Sequence, residues 1–102
     1  MSIELLVEPE DLSEEDLCEI FKLFCKTYDI KYSEKDEEFM KNRGIKNLMN
    51  NSGIDYLLNG DITFFGQITG PCITLSFYPS DKEKDEQIKK LVQEYLLNRS
   101  GK

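Results

Sequence analysis

Thiols and carboxylates are the places where this sequence could do chemistry: three Cys, 20 Asp or Glu, and no His. A nucleophilic cysteine needs a histidine or another positive neighbour to hold it as thiolate. Cys18 and Cys25 lie seven apart in a helical stretch. That is about 10 Å along the axis, too far for a disulfide. Cys25 belongs to an apolar stripe and Cys18 borders it, so both read as small buried hydrophobes. Cys72 opens a strand after Gly70 and Pro71, with no Lys or Arg close in sequence. No catalytic residue is expected, and the reading is not an enzyme. An odd cysteine count without C-x-x-C spacing fits reduced thiols in the cytoplasm.

Paired carboxylates do acid–base work only when a pocket pushes their pKa values apart. Most acids here sit where helices start: Glu14, Glu15 and Asp16, then Asp36, Glu37 and Glu38, then Asp81 and Glu83. The helix dipole alone favours them there by roughly 0.3–1 kcal/mol each. Asp55 and Asp61 flank a hairpin, where turn chemistry explains them. Without histidine most zinc and haem sites are excluded, and no segment has calcium-loop spacing. Gly60, Gly66 and Gly70 fall in a strand-turn-strand run with no helix following, so they form no phosphate cradle. The expectation is no metal and no cofactor.

Charge placement is the one feature above background. The chain of 102 residues carries a net charge of −7. Residues 1–21 hold eight acids (Glu4, Glu8, Glu10, Asp11, Glu14, Glu15, Asp16, Glu19) and no base. The remainder carries a net +1. Such a chain is a poor nucleic-acid binder, because phosphate recognition needs a basic footprint. Helix-dipole preference explains Glu14, Glu15 and Asp16 but not the missing base. Glu15 and Glu19, one turn apart, even repel mildly. Either this is a solvated acidic face, or Glu8, Glu10, Asp11, Glu14, Glu15 and Glu19 form a surface for a basic protein partner.

The elements that must position these residues follow from periodicity. Ile3, Leu5 and Val7 alternate as a strand over residues 3–7, ended by Pro9. Ser13 and Asp16 begin a capping box for a helix over 14–28, with Leu12 stapled against Leu17. Its stripe is Leu17, Ile20, Phe21, Phe24, Cys25 and Tyr28. Ser33 and Asp36 repeat the cap for a helix from Glu34 to Arg43, with Gly44 as its C′ residue. Ile45, Leu48 and Met49 add a further helical turn before Asn50-Asn51-Ser52-Gly53 stops it. A meander follows: strands over 54–58, 61–68 and 72–78, turned at Asn59-Gly60 and at Thr69-Gly70-Pro71. Gly66 suggests a bulge. The last helix starts with a Ser80–Glu83 capping box, runs through Ile88, Leu91, Val92, Tyr95 and Leu96, and frays near Asn98.

The order β-α-α-β-β-β-α predicts one α+β domain over residues 1–102. It is a two-layer sandwich in which two amphipathic helices cover a mostly antiparallel sheet. Phe65 and Tyr78 fall out of phase with the apolar sheet face, and Leu57 can do the same. They form an apolar patch if that second face is open. Alternatively Phe39, Met40 and Met49 cover it.

Acids stand at the N-terminus where an export signal carries bases, and no apolar run reaches membrane-span length. The expectation is therefore a small acidic cytoplasmic binding protein, monomer or homodimer, without nucleic acid or membrane. It would inhibit a basic partner as an immunity protein or antitoxin does a nuclease-type toxin, or as a phage anti-defence inhibitor. Carboxylates would steer association, and Phe65 and Tyr78 would anchor it. The alternative is an adaptor or secretion-chaperone-like interaction module, with a possible dimer through the open face or an edge strand.

Overall fold

The computed structural model describes residues 2–100. Strand β1 (Ile3–Leu5) leads through a 3₁₀ turn (Pro9–Asp11) into helix α1 (Glu14–Tyr28). A second helical stretch joins α2 (Glu34–Phe39), a π-helical turn (Met40–Gly44) and α3 (Ile45–Met49). Strands β2 (Ile54–Leu58), β3 (Ile62–Thr69) and β4 (Cys72–Tyr78) follow, and α4 (Lys82–Ser100) completes the fold. The sheet order is β1-β4-β3-β2, with every neighbouring pair antiparallel. This is the expected α+β architecture.

Alternation decides which side of the sheet the helices cover. Ile3, Leu5, Ile54, Leu58, Phe64, Ile73, Leu75 and Phe77 point inward and are buried. They meet the stripes of α1 and α4, including Leu17, Phe21, Phe24, Ile88 and Val92. Phe64 is the hub of the aromatic packing. Its ring lies edge-on to Phe21 and Phe24 at 5.4 Å each and to Phe77 at 5.7 Å. Such contacts add about 0.5–1.5 kcal/mol each beyond the area buried.

The middle segment joins the helix layer, so it does not cover the second sheet face. Met40 and Leu48 are fully buried in the core, and Phe39 stacks on the inward-facing Tyr56 at 4.2 Å. The π turn explains how both fit. Two residues eight apart on a regular helix are about 80° out of register. The wide turn, closed by Ile45 N–H on the Met40 carbonyl, absorbs one residue and realigns them. Gly44 therefore does not stop the helix. It keeps helical angles, and a Cβ there would sit 3.2 Å from Leu17 Cδ2. The stop comes at Asn51 and Gly53, both at positive φ.

Gly66 is likewise a packing residue. The pairing runs without a skip from Ile54 through Gly66 to Leu75, so there is no bulge. A Cβ on Gly66 would come within 2.8 Å of Leu75 Cδ2. Asn59 and Gly60 take the positive φ of the expected type I′ turn, 52° and 82°, but Leu58 pairs with Ile62, so Asp61 stands in the loop and β3 starts one residue later than expected.

At α4 the cap falls one residue later than expected. Asp81 Oδ1 accepts from Lys84 N–H, while Asp81 N–H donates to Tyr28 Oη at 2.9 Å. At the other end α4 continues past Asn98 to Ser100, because Arg99 is held by Asp16 and by the Asp11 carbonyl. Gly101 and Lys102, part of the expected tail, lie outside the described residues.

Three tyrosines tie the helix starts to distant elements. Tyr95 donates to Asp16 at 2.9 Å, Tyr56 to Asp36 at 2.6 Å and Tyr28 to Asp85 at 2.6 Å. Burial first, and then each aspartate, pushes all three phenols from about 10 up to about 12. A phenol raised in the fold stabilises it fully below its unfolded value and loses that contribution as pH climbs through the folded one. Alkaline unfolding between pH 10 and 12 is the expected result, with circular dichroism and phenolate absorbance changing together. Tyr28→Phe, Tyr56→Phe and Tyr95→Phe should each remove part of that pH dependence. Unchanged alkaline stability in all three variants would contradict it.

Candidate functional site

The acidic corner is built by the connector between β1 and α1. Pro9 cannot continue the strand ladder, and the chain turns in a short 3₁₀ segment. Asp11 N–H bonds the Glu8 carbonyl at 2.9 Å, and Leu12 N–H bonds that of Pro9 at 3.1 Å. Leu12 is buried and anchors the segment, which leaves Glu8, Glu10 and Asp11 exposed. The Ser13–Asp16 capping box then starts α1, with Glu14 on its exposed first turn. Glu8 and Glu10 are close enough to share a hydrogen bond between carboxyls. That bond, then the charges of Glu10 and Asp11, raises Glu8, while Glu10's own backbone amide lowers Glu10. The corner is thus a crowded negative field, the kind that gains most from an incoming cation.

The base missing from residues 1–21 is supplied from elsewhere in the chain. Asp16 is 3% exposed. Its Oδ2 accepts from Ser13 N–H at 3.0 Å and from Arg99 at 2.8 Å. Glu15 lies 3.7 Å from Lys41, and Glu19 lies 3.2 Å from Lys22, which also bonds Glu37 at 3.0 Å. Of the six acids singled out in sequence, Glu15 and Glu19 are therefore partly neutralised. Glu8, Glu10, Asp11 and Glu14 have no ion pair among the described residues.

A groove opens directly beside this corner, and sequence periodicity does not reveal it. β1 leaves the sheet after Leu5, which pairs with Ile73. Leu6 thus emerges near the β3–β4 turn. α1 and α4 are antiparallel, since Asp16 meets Tyr95 and Arg99 while Tyr28 meets Asp85. The C-terminal end of α4 therefore arrives at the same place. Leu6, Val7, Gln93, Leu96 and Leu97 line a cavity of about 680 Å³, bordered by Glu8, Asp11 and Arg99. Leu6 is 70% exposed and Leu97 72%. The available signal was weak: Leu6 breaks the strand alternation, and Leu97 stands outside the α4 stripe.

Phe65 and Tyr78 are not brought to the acids. They lie on the sheet face opposite the helices, and no element among the described residues covers it. Leu57, Thr63 and Tyr78 form one cross-strand row, and Phe65 lies diagonal to Leu57 and Tyr78. Leu57 is 60% exposed, Tyr78 66% and Phe65 39%. This row adjoins the Asn59-Gly60 hairpin, whereas the acidic corner adjoins the other end of the sheet. The length of β4, about 20 Å, separates the two ends.

The cysteines are free, with Cys18 and Cys25 buried. Burial pushes Cys25 up to about 12 and raises Cys18, while a hydrogen bond with Glu4 raises Cys72. All three hold their protons more tightly than an ordinary thiol, the opposite of an activated nucleophile. Among the described residues no cluster of three or more Cys, Asp or Glu is arranged to hold a metal ion. No helix among them is long and apolar enough to cross a membrane. Comparison with protein families, with curated proteins and with solved structures finds no match to this chain.

Proposed function

We propose that this protein is a cytoplasmic inhibitor that binds a basic protein partner through its acidic corner. The concrete form is an immunity protein or antitoxin neutralising a nuclease-type toxin, or a phage inhibitor of a nucleic-acid-binding defence factor. The observation that carries this reading is the set of four exposed acids, Glu8, Glu10, Asp11 and Glu14, none of which has an ion pair among the described residues. Carboxylates at that density imitate a run of phosphates, so they occupy a cleft built for nucleic acid. They also accelerate encounter with a positive surface, an effect that weakens as salt screens it.

The test compares baits. Native protein should retain a basic partner in low salt and release much of it near 0.5 M salt, where the Debye length falls below about 5 Å. Reversal of all four acids (Glu8→Lys, Glu10→Lys, Asp11→Lys, Glu14→Lys) should weaken binding at least about 100-fold, because like charges across an interface cost several kcal/mol. Reversal of Glu15 and Glu19, already paired inside the chain, should matter much less. Equal retention by the native and four-fold reversed proteins would defeat the proposal.

A second reading is an adaptor or secretion-chaperone-like module, and the open sheet face favours it. Leu57, Phe65 and Tyr78 would hold an extended peptide or a second copy of the chain. Such binding would be insensitive to salt and would be lost in Phe65→Ser or Tyr78→Ser.

A further inference from the structure

The groove beside the acidic corner pairs an apolar floor with a negative rim, and that combination selects its occupant. The buried Leu96, the half-buried Val7 and the exposed Leu6 and Leu97 give it its apolar lining. Glu8 and Asp11 border it. Arg99, its one bordering base among the described residues, is already held by Asp16 at 2.8 Å and by the Asp11 carbonyl at 3.2 Å. By spacing, Gln93 and then Lys89 continue the Leu97 face of α4 away from the acids. The groove is therefore negative at one end only.

We propose that it seats a large apolar side chain from a basic segment of the partner, whose neighbouring Lys or Arg lies against Glu8 and Asp11. This rests on the acidic-corner reading and names the chemistry that the corner recognises. The groove is open to solvent, and its volume of about 680 Å³ leaves room for one bulky apolar side chain between Leu6 and Leu97. Salt-screened charges set the rate of encounter, whereas a desolvated apolar anchor slows release. The corner and the groove together supply both.

Charge also argues against an anionic membrane surface, which Glu8 and Asp11 repel.

The probe is a helical peptide of alternating Leu and Lys faces, compared with a peptide of equal charge in which Gln replaces every Leu. Fluorescence anisotropy should show the native chain binding the Leu-containing peptide at least tenfold more tightly. Leu6→Ser with Leu97→Ser should abolish that preference while leaving the Gln-containing peptide unaffected. Glu8→Gln with Asp11→Asn should weaken both peptides. A preference that survives the double serine variant overturns the groove and leaves the acidic-corner reading standing. Insensitivity of both peptides to loss of Glu8 and Asp11 overturns both. Light scattering that shows a dimer dissolved by the serine variant overturns it in favour of a second copy, and retention on phosphatidylserine vesicles overturns it in favour of lipid.

Discussion

Asp16→Ala should destabilise the fold by about 3–5 kcal/mol, the range seen when one partner of a buried ion pair is removed. Asp16 lies in the middle of the acidic run, yet it is nearly inaccessible and saturated with donors. Ser13 N–H and Arg99 bond one carboxylate oxygen, and Tyr95 bonds the other. Alanine would leave Ser13 N–H and Tyr95 Oη without their acceptor and Arg99 with only the Asp11 carbonyl, while the Ser13 Oγ cap on the backbone N–H of position 16 would remain. Small domains are stable by only about 5–15 kcal/mol, so the loss is a large fraction of the whole. Thermal unfolding should move down by about 4–8 °C for each kcal/mol. Glu14→Ala, two residues away on the exposed first turn, should shift stability by no more than about 1 kcal/mol. Tyr95→Phe, which removes one of the bonds, should fall between them at about 1–2 kcal/mol. Denaturant melts of these three variants check the ranking, and equal stability of Asp16→Ala and Glu14→Ala would contradict it.

Phe64→Ala should be comparably severe, at about 3–5 kcal/mol for an emptied aromatic core site. Phe64 is fully buried and touches three other phenylalanine rings, so the cavity lies between the sheet and α1. The denaturation midpoint should fall without a change in slope, since the unfolded chain is no more compact. Phe65→Ala is the internal control. It is the next residue, but it points to the open face and is 39% exposed. Its effect on stability should stay within about 0.5 kcal/mol. The same pair of variants separates the two sheet faces experimentally. A large loss in Phe65→Ala would mean that the second face is covered.

Much of the fold was legible because both of its periodicities are written locally. The alternation Ile73, Leu75, Phe77 and the α1 stripe from Leu17 to Tyr28 need no knowledge of what they pack against. Gly44 and Gly66 were misread because their reason is tertiary. Leu17 and Leu75 occupy the space where each Cβ would stand, and a single chain segment cannot show this. The position of the middle segment was hidden for a similar reason, since the π turn rotates Met40 and Leu48 onto one face.

The acidic site was legible in composition and not in detail. Asp16 and Glu14 are alike in sequence, but partners 79 and 83 residues further along bury only the first. Lys41, distant in sequence, partly neutralises Glu15, and Lys22, one turn along α1, partly neutralises Glu19. Phe65 and Tyr78 were correctly placed out of phase with the core. Their separation from the acids depends on strand order, which sequence periodicity does not specify. Leu6 and Leu97 carried no periodic signal, and only the antiparallel course of α1 and α4 brings them together.

The proposed role of Glu8, Glu10, Asp11 and Glu14 as a surface for a basic partner is tested most directly by the association rate constant with the captured partner, measured by stopped flow as a function of ionic strength. The rate should lie near 10⁸ M⁻¹s⁻¹ or above at low salt and fall by at least about tenfold by 0.5 M salt, with the four-fold reversed variant slow at low salt. A rate that is flat with salt, and equal in the native and reversed proteins, would contradict it.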